Sequence, residues 1–326
     1  MTELTFTEQL HHVVQEAGLA PSVHNTQPWR FATLPDGLEL HADPARRLAV
    51  LDPDGRQLHL SCGAALFHAR VAARGLGLDV QVRLLPDPER PQLLAVLRLS
   101  PGAPASPDDI ALTTAVLHRH TYRGTFAGDP VPQPLVDRLR ATAEAEGAIL
   151  AEVARRDQLI ELSVLLSHAN QTEEQDKSYL AELSRWVHTD DSALDGLPVE
   201  PAAQSAPGSS LRQRDFTMGH PENTGGTAPT PDRPLVLVLA TPADDELSWL
   251  RAGQALAAVL LRAAEQDVQA QPLGQVTDVP AYRARLRTIL GLVAVPQLVL
   301  RMGTTTSATA ATPRRDVEDV LAPVTG

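Results

Sequence analysis

The chain has 326 residues, 43% hydrophobic but only 3% aromatic, so its apolar volume is mostly Ala, Leu and Val, material for packed helices and a modest sheet rather than aromatic cages. A formal net charge of -12 opposes any broad nucleic-acid or anionic-membrane surface, although a local arginine cluster can still hold one phosphate. The single cysteine, Cys62, excludes an intramolecular disulfide and a cysteine-rich zinc site. Met1-Thr2-Glu3-Leu4 has no basic segment leading into an apolar run, and no apolar stretch approaches spanning length, so the expectation is a cytoplasmic protein with no membrane and no nucleic acid among its partners.

Thr5 with Glu8 forms a capping-box pattern, and Leu10, Val13, Val14 and Ala17 then recur at helical spacing up to Gly18. Trp29, Phe31 and Thr33, then Leu38, Leu40 and Ala42, alternate around Pro35-Asp36-Gly37 and predict a hairpin. Ser61 to Arg74 reads as a helix buried on most sides, followed by strands over Asp79 to Leu85 and Leu93 to Leu99. Ser106-Pro107 opens a helix ending near His118, Pro234 to Ala240 is a short strand, and Asp244 or Asp245 caps a long helix through Glu265.

Gly253-Gln254-Ala255-Leu256 echoes Gly63-Ala64-Ala65-Leu66, and each helix runs on into Val-Gln, at Val80-Gln81 and Val268-Gln269. Either the chain is internally duplicated or two Ala-rich helices agree by chance. Between the halves, 167–233 is polar and rich in Pro, Gly, Ser and Thr, with Leu180, Leu183, Trp186 and Val187 as the helix anchors and Phe216, Arg212 and Arg214 further on. A stretch of this length is a disordered linker or a functional lid.

The most informative stretch is Pro21-Ser22-Val23-His24-Asn25-Thr26-Gln27-Pro28-Trp29-Arg30-Phe31. Read on its residues alone, it is a loop that binds the polar edge of a heterocycle or a turn whose Asn and Gln satisfy their own backbone. Pro-Ser-x-x-Asn-x-Gln-Pro-Trp-x-Phe resembles the loop with which flavin-dependent nitroreductases contact FMN. Arg119-His120-Thr121-Tyr122-Arg123 is similar to the family's phosphate-binding stretch, and Arg314-Arg315 to its basic pair further along. The resemblance spans the chain and points to the Acg-type branch, whose members are fused pseudo-dimers with a lid.

The resemblance implies an α+β, nitroreductase-like fold of two fused halves forming an intramolecular pseudo-dimer. Residues 1–105 are then the first half, 106–166 the start of the second, 167–233 the lid and 234–326 the remainder. It implies FMN held by Pro21, Ser22, Val23, Asn25, Gln27, Arg119, His120, Thr121, Arg123, Leu273, Gly274, Gln275, Arg314 and Arg315. Because the Pro21 to Phe31 loop occurs once and the arginine stretches occur only later, one flavin per chain is expected at the seam. NAD(P)H and a small electron acceptor are the implied partners, the chain is expected to be a monomer, and neither a protein nucleophile nor a metal is required. If the lid covers the ring, the implied role shifts from turnover to flavin sequestration. Gly274-Gln275 departs from the acidic residue typical of the family at that place. His11-His12 points around a helix and makes a poor ligand pair; Cys62 reads as inert packing.

Overall fold

Thr5 starts the first helix as its residues predict: its hydroxyl accepts from the Glu8 amide, and the Glu8 carboxylate accepts from the Thr5 amide at 2.8 Å. In this computed structural model, residues 4–126, 129–188, 192–198, 209, 211–216, 232–305 and 311–322 are described. Helix α1 (Phe6–Gly18) buries Leu10, Val13, Val14 and Ala17, the stripe visible in the sequence. Strands β1 (Trp29–Leu34) and β2 (Gly37–Ala42) form the hairpin, with Leu34 opposite Gly37. Helix α2 (Arg56–Gly75) starts a turn earlier than its apolar run, because the Asp52 carboxylate accepts from the amides of Gln57 and Leu58 at 3.0 and 2.9 Å. Strands β3 (Leu78–Leu84) and β4 (Leu93–Pro101) follow, and Ser106 caps α3 (Pro107–His118) in a second capping box with Asp109.

The second run comprises α4 (Gln133–Ala145), β5 (Ile149–Glu152), α5 (Arg156–Gln175) and α6 (Lys177–Leu183), then the short parallel pair β6 (Val187–His188) and β7 (Leu197–Pro198). Next come β8 (Leu235–Thr241), α7 (Glu246–Ala264, capped by Asp245), β9 (Gln269–Leu273), α8 (Gln275–Asp278), α9 (Pro280–Leu290) and β10 (Val295–Gly303). Helix α10 (Val317–Val320) and β11 (Leu321–Ala322) end the described chain. The boundary expected at 167 falls inside α5, which continues to Gln175 because Ala169, Asn170 and Glu173 stay buried on one face. Leu180 and Leu183 lie in α6 as helix anchors, whereas Trp186 and Val187 lie beyond its end, packed with Leu48, Leu51 and Phe216.

The two sheets share one topology. The first reads β3-β4-β2-β1 and the second β9-β10-β8-β5, with every neighbouring pair antiparallel. In each, the strand just before the central helix (β2 or β8) sits third and the strand just after it (β3 or β9) forms the edge. Helices α2 and α7 pack against each other between the sheets. A Cβ on Gly63 would run into the Leu250 carbonyl oxygen, and one on Gly253 into that of Leu60, so the crossing is reciprocal at the segments whose sequences echo each other. The first sheet is completed by β11, which pairs in parallel with β1 through Phe31 and Leu321.

Candidate functional site

A cleft opens where the two halves meet. Its walls are Pro21, Ser22, Val23 and His24 from the loop after α1; Gln57, Leu60 and Ser61 from α2; Thr121 and Arg123 from the stretch after α3; Leu256 from α7; and Gln271 to Gln275 at the end of β9. Each stretch is held by the fold. Val23 N–H donates to the Ser61 hydroxyl at 3.2 Å, and Gln27 N–H to the Ser22 hydroxyl at 3.0 Å. Thr121 bridges to Ala270 beside β9, and Tyr122 N–H donates to the Ala270 carbonyl at 3.1 Å, which fixes Arg123 at the cleft wall. Of the expected site residues, Pro21, Ser22, Val23, Thr121, Arg123, Leu273, Gly274 and Gln275 thus line one space.

Asn25 and Gln27 do not line it. His24, Asn25 and Gln27 all have left-handed backbone, φ 46°, 54° and 47°, a conformation that costs a non-glycine residue roughly 1–2 kcal/mol. This turns the two side-chain amides away from the cleft. The Asn25 amide donates to the carbonyls of Gly196 and Pro313, both at 2.9 Å, and Gln27 donates to the Leu194 carbonyl at 3.0 Å. The Gln27 side-chain oxygen accepts from Arg315 N–H at 2.9 Å. His24 is left with a buried Nε2 that has no partner among the described residues, its ring edge-on to Phe216 at 5.4 Å between centroids. Burial, reinforced by Arg214 and Arg123, holds its pKa well below the usual histidine range, so the ring is neutral.

The arginines separate into two groups. Arg119 is buried, and its guanidinium donates to the Leu19 carbonyl at 3.3 Å while Nε has no partner among the described residues. Arg314 reaches the same carbonyl at 3.2 Å, and its Nε is likewise unpartnered among the described residues. Burial, with Arg314 alongside, lowers Arg119 to about 9, and burial lowers Arg314 to about 10. His120, beside them, is lowered by burial and then by Arg119. Among the described residues no carboxylate pairs with Arg119, Arg314 or Arg123. Arg123 lies over the Phe216 ring at 5.2 Å, and burial lowers it to about 10. Arg315 extends the other way, to the Asp319 carbonyl at 2.7 Å.

Several cleft residues carry no local sequence signal. Asp278 is buried and accepts from Arg56 at 2.7 Å, from Gln57 at 2.5 Å and from Arg214 at 2.8 Å. Arg214 also pairs with Glu173 at 2.6 Å. Burial opposes its charge, yet Glu173 and Asp278 hold the guanidinium well above its ordinary value. Around it, residues 211–216 are docked along the cleft. Gln271 donates to the Gln213 side-chain oxygen at 2.5 Å, Gln213 to the Arg123 carbonyl at 2.7 Å and Gln275 to the Arg212 carbonyl at 3.0 Å. Phe216 closes that wall. Cys62 is buried, its thiol donates to the Pro28 carbonyl at 3.2 Å, and burial pushes its pKa up, consistent with packing alone. The described residues hold no group of three or more His, Cys, Asp or Glu side chains placed to bind a metal, and no helix among them is long and apolar enough to cross a membrane.

No family model matches the chain. Over 326 residues it is 33% identical to a Mycobacterium tuberculosis protein provisionally named NAD(P)H nitroreductase Rv3131, across 98% of this chain and 93% of that one. The provisionally named NAD(P)H nitroreductase acg of the same organism is 32% identical over 323 residues, 97% of this chain and 96% of its own. The chain belongs to the nitroreductase family that these two proteins represent. Among solved structures, an FMN-bound nitroreductase from Desulfitobacterium hafniense aligns with 66% of this chain and 98% of its own at 11% identity and a TM-score of 0.41. The family assignment rests on the two sequence relatives.

Proposed function

We infer that this protein binds one FMN, non-covalently, in the cleft between its two like-ordered halves, with the phosphate on Arg119 and Arg314. The observation that carries this is the pair of largely buried guanidinium groups that converge on the Leu19 carbonyl, with no carboxylate partner among the described residues; neither side chain lines the cleft, but Leu19 lies two residues before Pro21 in its wall. Two like charges side by side in a desolvated place call for an anion. A phosphomonoester, near two negative charges, supplies one that accepts from several N–H groups at once. The Thr121 hydroxyl lies in the same wall. Arg123, held over an aromatic ring, is read as a neighbour of the isoalloxazine rather than of the phosphate. The reciprocal crossing at Gly63 and Gly253 supports a fused pseudo-dimer in which one seam site is kept.

When bound, FMN supplies the acceptance and release of a hydride, which makes the protein nominally an NAD(P)H-dependent oxidoreductase. The chain's own residues bind, orient and shield. Ser22 and Gln275 present polar groups to the ring edge, Val23, Leu60 and Leu256 exclude water, and no side chain is required as a nucleophile. A second reading, flavin sequestration, is favoured by one specific feature: residues 211–216 are tied down along the cleft by Gln271, Gln275, Glu173 and Asp278, with Phe216 in its wall. A ring covered there cannot be stacked by a nicotinamide at reacting distance.

The purified protein is expected to be yellow and to release one FMN per chain on acid denaturation, read by absorbance against protein concentration. A colourless protein that takes up no added FMN, or two flavins per chain, refutes the reading.

A further inference from the structure

The loop after α1 does more than wall the cleft. Asn25 bonds to two separate segments: its amide nitrogen donates to the Gly196 and Pro313 carbonyls, and its side-chain oxygen accepts from Arg314, next to Pro313, at 3.1 Å. The tie to Gly196 is reciprocal, since Gly196 N–H donates to the Asn25 carbonyl at 3.2 Å. Gln27 repeats the pattern two residues on, joining Leu194 to Arg315. Arg46 reinforces the same segment by pairing with Asp195 and lying over the Trp186 ring at 5.3 Å. Three left-handed, non-glycine residues in one short loop are strained, and such strain persists only where the surroundings over-determine the backbone. Here the surroundings are these bonds.

We propose that Asn25 is a positioning residue that couples the anion-binding guanidinium of Arg314 to the docking of residues 192–198, so that filling the phosphate end of the cleft tightens that segment and docking the segment strengthens phosphate binding. This rests on the assignment of FMN phosphate to Arg119 and Arg314. The coupling follows from geometry. Asn25 holds Arg314 through one end of a planar amide and Gly196 through the other, so a guanidinium fixed by an anion orients the amide that holds the segment. Linkage makes the effect reciprocal. Riboflavin, with no phosphate, engages the ring wall but not the coupling.

The test is backbone hydrogen exchange across 192–198, which reports local opening, together with FMN and riboflavin affinities, in the unsubstituted protein and in the Asn25→Ala and Arg314→Ala variants. In flavin-free protein, both substitutions are expected to speed exchange at Gly196 about tenfold, although Arg314 does not hydrogen-bond to that residue. FMN is expected to slow exchange in the unsubstituted protein, riboflavin is not, and in Asn25→Ala the preference for FMN over riboflavin falls about tenfold. Unchanged Gly196 exchange in Arg314→Ala overturns the coupling even if the protein binds neither flavin. If both flavins fail to bind while Arg314→Ala still speeds exchange, the FMN assignment falls and the clamp stands. Undiminished FMN preference in a folded Asn25→Ala protein also overturns the proposal. Should that variant fail to fold, Arg314→Ala alone decides.

Discussion

Gly63 and Gly253 face each other across the crossing of α2 and α7, each lying against a backbone carbonyl of the opposite helix, Leu250 for Gly63 and Leu60 for Gly253. Helix interiors ordinarily disfavour glycine by roughly 1 kcal/mol relative to alanine. Here the missing Cβ is what lets the central helices approach, and the clashing atoms are backbone, which cannot swing aside.

Gly63→Ala and Gly253→Ala are therefore each expected to destabilise the protein, despite the better helix propensity, at the upper end of the roughly 1–3 kcal/mol typical of overpacking. Urea denaturation followed by far-UV circular dichroism reads this directly. A neutral or stabilising Gly253→Ala would show that the helices separate easily, and with them the walls of the cleft.

Flavin affinities separate the two groups of arginines. Arg119→Ala removes a charge-assisted contact worth about 1.5–3 kcal/mol and is expected to weaken FMN about ten- to a hundredfold while leaving riboflavin nearly unchanged. Arg123→Ala, which lies over Phe216, is expected to weaken both flavins alike. Fluorescence-quenching titrations give all four constants, and equal losses of FMN and riboflavin in Arg119→Ala would remove it from the phosphate end.

Acid should loosen the protein through His68. This ring is fully buried, and burial, with Arg119 nearby, lowers its pKa to about 3 from an unfolded value near 6.5. The folded state thus binds this proton less readily than the unfolded one. Its contribution to stability is complete above about pH 6.5 and is lost as pH falls from there toward 3. Between pH 7 and pH 5 the loss from His68 is roughly 2 kcal/mol. A His68→Gln protein should show a smaller drop in urea midpoint between those pH values, and an identical drop in both proteins would assign the acid sensitivity elsewhere.

Phe216→Ala leaves the Arg214 ion pairs in place but opens the wall that Phe216 forms with His24 and Arg123. Under anaerobic conditions NADPH should bleach the flavin of this variant at least about tenfold faster than that of the unsubstituted protein, since hydride transfer depends steeply on close stacking. Rapid bleaching in both proteins would return the chain to ordinary turnover and dismiss sequestration.

Local chemistry announced most of the fold. Both capping boxes, at Thr5 with Glu8 and at Ser106 with Asp109, are short-range patterns in which the sequence interval is itself the geometry. The echo of Gly63 by Gly253 marked the helix crossing for the same reason, because close backbone approach admits only glycine. Long-range pairing left no such trace. Nothing near Arg56 in sequence indicates that its partner is Asp278, or that Arg214 shares that carboxylate. Helix α5 read as loop beyond residue 167 because only one face is buried, and a half-exposed polar helix has a composition much like that of a linker. Asn25 and Gln27 stand out as polar residues of the loop, but the sequence does not show that their amides turn away from the cleft: that follows from the left-handed backbone of His24, Asn25 and Gln27 in a loop without glycine.

The parallel pairing of Phe31 with Leu321 bears on how the chain is made. Strand β1 leaves the ribosome together with its hairpin partner, but its outer edge waits for Leu321, far along the chain. Until then the first sheet carries an open edge, the kind that invites pairing with another chain, and the long sequence separation makes the closing contact slow to find. The interval in which the first sheet is vulnerable is thus the stretch of synthesis between the folding of its hairpin and the arrival of Leu321.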